Sequence, residues 1–430
     1  MYKAMNVLLI WVCGLATSAV LAKQTFHGDK VFRVKLQTEE HVALIHKMKE
    51  KIKLDFWHPD TADRMVPHMD ADFRVNSDQA HSVSILLEQF SVPYEVLFHD
   101  LQEGIDAQLD NKKIQKSKGH SYTKYNTWEK IVEWTGNLAK KYPNLVKKVD
   151  IGKTVEGRPM YVLQVGNANS ATKAIFMDCG IHAREWISPA FCQWFVKEVM
   201  ITYALCLLYQ TGKNNIRELV KSLTFYILPV FNIDGYVWTW TEDRMWRKNR
   251  SPSDDGNCVG TDLNRNFNIS WCDIGSSTEP CSEIYCGATA ESEIEAKNVA
   301  NFIRSHVDSI KAYISIHSYS QMLLYPFSYT YNLAPDHKEL DEIAKGAVSE
   351  LKGLYGTSYT YGPSASTIYP TAGSSDDWAY SVGIKYSFTF ELRDKGKKGF
   401  LLPQSQIKAT CQESTLAVAY IAKYVLAHSS

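Results

Sequence analysis

Ala174-Ile175-Phe176-Met177-Asp178-Cys179-Gly180-Ile181-His182-Ala183-Arg184-Glu185-Trp186 runs from an apolar stretch into a glycine-bearing turn, and Ser188-Pro189 follow it. A short apolar run of this kind reads as a buried strand. Ser188 at the cap and Pro189 at the first position then predict a helix start. The strand–turn–helix unit recurs outward from here. Strands are predicted over 146–151, 160–165, 224–230, 312–317 and 386–391, and helices over 128–141, 189–200, 291–305, 338–355 and 407–427. The alternation predicts an α/β domain with a large mixed sheet, with reactive groups at strand ends.

Chemistry-bearing residues fall at such ends. His182 and Glu185 share the turn after the first strand quoted, and His317 ends the alternating run Ala312-Tyr313-Ile314-Ser315-Ile316-His317. An imidazole and a carboxylate from one turn plus a second imidazole make a three-ligand zinc site with one position open. His-x-x-Glu alone is a weak signal, shared with surface pairs. Asp262 is placed to orient a ligand imidazole from behind, a role that a plain loop turn would mimic. Arg244, Arg247 and Arg265 are permanently charged forks suited to a substrate carboxylate or an oxyanion, or to a basic surface patch. Glu391 ends the apolar run Phe388-Thr389-Phe390, where burial without a partner is costly. Beside a zinc-activated water it would serve as general base.

The N-terminal part has its own pattern. Lys3, an apolar region over 7–16 and Val20-Leu21-Ala22 predict a signal peptide over 1–22, rather than a membrane anchor. Strands over 31–34, 54–57, 72–75 and 94–97 and helices over 39–51 and 78–90 give the order β-α-β-β-α-β of a small ferredoxin-like module. Residues 111–118 form a basic, polar stretch expected to be an exposed, cleavable linker, or else a solvated helix end. The division expected is therefore 1–22 signal, 23–118 prosegment with connecting helix and linker, and 119–430 catalytic domain.

The chain has 430 residues, with 47 Lys plus Arg against 47 Asp plus Glu, and 45% hydrophobic residues. Zero net charge argues against a nucleic-acid binder, and no later apolar run has the length, about 18 residues, of a membrane span. Of nine cysteines, Cys13 leaves with the signal and eight remain. An even count in a secreted chain predicts disulfides; a four-cysteine zinc knot within 258–286 is the weaker alternative, because no Cys-x-x-Cys occurs. Two glycosylation sequons, Asn249-Arg250-Ser251 and Asn268-Ile269-Ser270, flank the candidate site, which argues against heavy glycosylation there.

The runs 182–186, 232–236, 244–250, 260–267, 317–321, 366–370 and 390–394 together resemble the A/B family of zinc metallocarboxypeptidases. The likeness covers the whole chain after the signal and is strongest to vertebrate pancreatic procarboxypeptidases of B type. It implies a secreted, extracellular zymogen whose exopeptidase cuts the C-terminal peptide bond of peptides and proteins. It implies one zinc ion on His182, Glu185 and His317. Glu391 would be the base that activates a zinc-bound water for attack, and Arg247 would polarise the scissile carbonyl. Asn264 and Arg265 would clamp the terminal carboxylate and Tyr369 would close over it. Arg184, Arg244, Ser318 and Tyr319 match subsite or supporting positions. The implied disulfides are Cys179–Cys192, Cys258–Cys281 and Cys272–Cys286, leaving Cys206 and Cys411. Residues 204–210 depart from the family pattern and look like an apolar insertion.

A non-catalytic zinc protein of this fold would lack Glu391, Arg247 or a ligand, and none is missing. An esterase or amidase of similar chemistry is disfavoured by Asn264 and Arg265, which suit a free carboxylate. Latency is expected from residues 23 to about 116, with a trypsin-like protease cutting after Lys116 or Lys118. Asp70 and Asp72, expected in a loop between two prosegment strands, are candidates to occupy Arg265. A monomer is expected, with no nucleic-acid or membrane partner. In Ser375-Asp376-Asp377, the family register puts Asp376 in the specificity pocket, where B-type members carry an acid and A-type members an apolar residue. C-terminal Lys or Arg is therefore the expected preference, and apolar or aromatic ends the alternative.

Overall fold

A computed structural model of the chain describes residues 23–109, 119–166, 173–208, 222–253 and 256–429. The signal peptide over 1–22 and the linker lie outside the described residues, as do residues 209 and 210 of the 204–210 insertion, whose first five residues continue a helix.

The prosegment is a four-stranded antiparallel sheet, β1 Lys30–Leu36, β2 Leu54–His58, β3 Met69–Val75 and β4 Tyr94–Phe98, in the order β2-β3-β1-β4. Helix α1 Glu39–Lys49 begins at Thr38, whose hydroxyl accepts from His41 N, and α2 Ser77–Gln89 covers the second crossover. This is the expected β-α-β-β-α-β module. Phe32, Phe73, Ile45, Val83 and Leu87 form its own core. Helix α3, Leu101–Leu109, leads toward the linker.

The second sheet has eight strands in the order β11-β10-β12-β9-β7-β8-β6-β5. These are β5 Val146–Lys153, β6 Pro159–Gly166, β7 Lys173–Cys179, β8 Leu223–Leu228, β9 Ile310–Ser318, β10 Met322–Tyr325, β11 Thr360–Pro363 and β12 Tyr386–Leu392. The middle strands β12, β9, β7 and β8 are parallel. All six residues of β8 are buried, and β9 is nearly so, as expected of strands covered on both faces. The helices of seven or more residues are α4 Trp128–Lys141, α5 Ile187–Leu208, α6 Ile233–Thr241, α7 Ile294–Arg304, α8 His337–Tyr355, α9 Ser375–Ser381 and α10 Ile407–His428. Helix α10 packs on α8 and α5, closing one continuous apolar core with the sheet.

Three local readings change. Helix α5 starts at Ile187, and Ser188 does not cap it: its hydroxyl accepts from Gly180 N at 2.8 Å and donates to the carbonyl of Ile316. That pins the His182 turn to β9. The four-residue strands β10 and β11 were missed, since so short a run carries no readable period. Helix α9 and helix α6 were also unread, being short and rich in polar or aromatic residues. The three disulfides are those implied, Cys179–Cys192, Cys258–Cys281 and Cys272–Cys286; Cys411 is a free, buried thiol, and the Cys206 side chain lies outside the described residues.

Candidate metal centre and active site

Parallel pairing delivers the key groups to one edge. His182 and Glu185 follow the end of β7, while His317 and Glu391 sit opposite one another near the ends of β9 and β12. The ligand atoms of His182, Glu185 and His317 all lie within 4.8 Å of one another, and all three residues are buried. His182 Nδ1 is 2.7 Å from Glu185 Oε1 and 3.2 Å from His317 Nδ1, and Ser318 N donates to Glu185 Oε2 at 3.1 Å.

The outer hydrogen bonds decide what this trio can hold. His182 faces a carboxylate on each side, Glu185 Oε1 at 2.7 Å from Nδ1 and Asp262 Oδ1 at 3.1 Å from Nε2; with the proton on Nε2, where Asp262 outside the trio accepts it, Nδ1 presents a lone pair to the space between the ligands. Ser315 Oγ donates to Asp178 Oδ1 at 2.9 Å, so it accepts from His317 Nε2 at 3.0 Å, and His317 Nδ1 also presents a lone pair. Two imidazole lone pairs and a carboxylate converging in a buried space are the donor set of a zinc site. The residues therefore fit the metal.

Around the trio lie the other predicted residues. Asp262 Oδ2 accepts from Arg247 at 2.8 Å, so one carboxylate orients both His182 and Arg247. Arg247 and Arg265 hold Asp262 ionised, well below the usual carboxylate range. Arg265 donates to Gly275 O and to Asn264 O, and Asn264 Oδ1 accepts from Ser375 N at 2.9 Å. Tyr369, Asp376, Thr389, Ser328 and Tyr319 line the same cleft. Glu391 opens onto it, and burial beside Glu185 raises its carboxyl above the ordinary range. Arg184 does not line the cleft: it is buried behind it, donating to Asp55 Oδ1 at 3.0 Å and Phe56 O at 3.1 Å. Arg244 is likewise buried, donating to Gln108 and to Phe400 O.

The two adjacent aspartates diverge. Asp376 Oδ2 accepts from Thr389 Oγ1 at 3.0 Å and faces the cleft, and no basic side chain pairs with it among the described residues. Asp377 turns away and accepts from Ser328 N at 2.7 Å and Tyr329 N at 3.1 Å.

The expectation for Asp70 and Asp72 is corrected. Both lie within β3, where Asp70 is exposed opposite Lys35. Asp72 is engaged by Arg33 at 2.6 Å and by Tyr319 OH at 2.9 Å. The carboxylate on Arg265 belongs to Asp60, in the β2–β3 connection: Oδ2 is 2.6 Å from Arg265 and 3.9 Å from Arg247, while Oδ1 is 2.7 Å from Arg64. Arg64 also stacks over Tyr369 at 4.0 Å. The sequence offered an acid in a loop, but Asp63 carries the same signal and nothing local separates the two. Trp57 packs on Phe400 with ring centroids 5.1 Å apart, inside an apolar cluster shared by prosegment and catalytic domain.

The family model described as zinc carboxypeptidase matches residues 131–417, and that described as carboxypeptidase activation peptide matches 32–108. The chain is 53% identical over 420 residues to carboxypeptidase B of Bos taurus, covering 98% of this chain and 99% of that one. It is 52% identical over 415 residues to mast cell carboxypeptidase A of Mus musculus, covering 96% and 97%. The crystal structure of thrombin activatable fibrinolysis inhibitor superposes with a TM-score of 0.88 at 43% identity, covering 94% of this chain and 100% of that one. The fold, the converging donor set and these matches agree: the chain belongs to the zinc carboxypeptidase family, in its zymogen form with an activation peptide.

Proposed function

We propose that this zymogen is secreted, binds one zinc ion on His182, Glu185 and His317, and when activated removes C-terminal Lys and Arg from peptides and proteins. The observation that carries the specificity is Asp376, a buried carboxylate in the cleft wall with a hydroxyl and, among the described residues, no cation beside it. An unpaired buried charge is costly, and a basic side chain entering the cleft supplies the missing partner. An apolar C-terminal residue would leave it unpaired. The signal peptide expected over 1–22 and the three disulfides support secretion.

Zinc, when bound, supplies a Lewis acid and brings the pKa of a water toward about 7. This chain's residues do the remainder. Arg265 and Asn264 bind the terminal carboxylate of the substrate, and Tyr369 closes over it. Arg247, held by Asp262, faces the developing oxyanion. Glu391 takes up the proton of the attacking water and returns it to the leaving amine. In the zymogen, Asp60 stands where the substrate carboxylate would bind, and a trypsin-like cut within 112–118 frees the site.

The nearly equal identity, 52% against 53%, to a protein named mast cell carboxypeptidase A favours a second reading, apolar or aromatic specificity. Hydrolysis of matched peptides ending in Lys, Arg, Phe and Leu by the trypsin-activated enzyme separates the two. Lys and Arg ends are expected to win by at least about tenfold in kcat/KM, and Asp376→Ile should reverse the order. Equal kcat/KM for Lys and Phe ends refutes the basic preference.

A further inference from the structure

We propose that Asn268 carries an N-linked glycan and that Asn249, the asparagine of the other sequon, does not. The two tripeptides satisfy one motif, each with a non-proline middle residue. The fold treats them in opposite ways.

Asn249 is fully buried. Its Nδ2 donates to Glu293 Oε2 at 2.6 Å and to Glu295 Oε2 at 3.2 Å. Its Oδ1 accepts from Thr261 N at 2.7 Å and from Ser251 Oγ at 3.0 Å. The nitrogen that would bear the sugar is the one that satisfies two buried glutamates. A glycan there is incompatible with this packing.

Asn268 and Ser270 are both exposed, and neither side chain makes a hydrogen bond among the described residues. Both groups of the motif are thus uncommitted. The backbone that presents them is nevertheless held: Phe267 N donates to Gly373 O at 3.1 Å, Gly373 N to Ile269 O at 3.0 Å, and Asp273 N to Ser270 O at 3.2 Å. Phe267 is buried, so the turn is anchored on one side and its tip faces solvent. Asn268 is not among the residues lining the cleft, whereas Asn264 and Arg265 are. Nearness in sequence to the site therefore does not place a sugar in it, and the sequence argument against glycosylation holds for Asn249 and fails for Asn268.

The step needs a lipid-pyrophosphate-linked oligosaccharide as donor. Asn268 Nδ2 loses a proton and bonds to the sugar C1, and the C1–oxygen bond to the pyrophosphate breaks, with the phosphate oxygen carrying away the electron pair. No oxidant or reductant takes part. That donor is met in the secretory lumen, so the inference rests on the secretory reading above.

The test uses the full chain expressed in cultured animal cells, with protein collected from medium and lysate. A glycan-removing amidase, which converts a glycosylated Asn to Asp, is followed by peptide mass mapping. One glycan is expected, with conversion at residue 268 alone. Asn268→Gln and Ser270→Ala should each abolish the mass shift while activity after trypsin treatment is retained, and Asn249→Gln should leave the shift in place. Secreted protein without sugar at Asn268, or with sugar at Asn249, overturns this proposal alone. Protein retained in the cells without sugar overturns it together with the secretory reading.

Discussion

Glu391 and Arg265 face one cleft but are asked for different work, and single substitutions separate them. Glu391→Gln keeps the shape and the hydrogen-bonding reach of the side chain while removing the proton acceptor. It should retain zinc and substrate binding and lose about 10²–10⁴-fold in kcat. Arg265→Ala removes a charged fork whose other donors are already spent on Gly275 O and Asn264 O. It should act mainly on KM for free-acid substrates, and C-terminally amidated peptides, poor substrates of the parent enzyme, should be little affected. Measuring kcat and KM for a free acid and its amide checks both; cleavage of the amide as fast as the acid by the unaltered enzyme would remove the clamp role.

At the scale of elements, the β2–β3 connection is the one proposed to inhibit. It delivers Asp60 to Arg265 while the strands beside it hold the connection in place through Asp55 on Arg184 and Asp72 on Tyr319. Removing one partner of a buried pair costs about 3–5 kcal/mol. Asp60→Ala should therefore raise turnover of small peptides by the uncut zymogen at least about tenfold, while the remaining contacts keep the prosegment docked. A variant as latent as the parent would show that burial of the cleft, not the carboxylate, causes latency. A second element carries a pH dependence. Glu295, in the first turn of α7, is buried near Asp234 and beside Glu293, and its carboxyl is raised to about 7 from an ordinary 4.5. A raised carboxyl favours the folded state while protonated. That stability is present below about 4.5 and is lost as pH rises through about 7. At about 1.4 kcal/mol per pH unit over about 2.5 pH units, the loss is about 3.5 kcal/mol. Thermal melts at pH 5 and pH 8 should show the decline in the parent chain and a smaller one in Glu295→Gln.

For the whole molecule, two sheets with separate cores meet at one interface. Among the described residues, the prosegment core of Phe32, Phe73 and their neighbours involves no catalytic-domain residue, while Trp57, Phe98 and Leu101 pack with Met245, Tyr319 and Phe400 across the boundary. A segment with its own core and a complementary face should fold and bind after it is cut free. Isolated 23–109 is expected to inhibit the activated enzyme in trans, and its Asp60→Ala variant to do so at least about tenfold more weakly. Inhibition constants measured with a Lys-ended peptide check this; absence of inhibition by folded 23–109 would mean that the covalent link is required.

The long elements were legible because their signals are local. Period two in the run before His317, period 3.6 in α4, α8 and α10, and the glycine turn after β7 depend on neighbouring residues alone. So does the pairing of His182 with Glu185 in one turn, and the order of strands and helices was enough for the two-part α/β architecture. What needed tertiary structure is whatever depends on partners far apart in the chain. Parallel register sets Glu391 beside His317. The Ser315–Asp178 pair that turns His317 Nδ1 toward the metal site joins two strands. Asp60 rather than Asp70 or Asp72 reaches Arg265 because β3 begins at Met69 and holds those two in the strand, and packing buries Asp60 against the cleft while leaving Asp63, on the same connection, exposed. Asp376 faces the cleft and Asp377 the backbone of Ser328 because consecutive positions on a helix point about 100° apart, and only packing chooses which one points in.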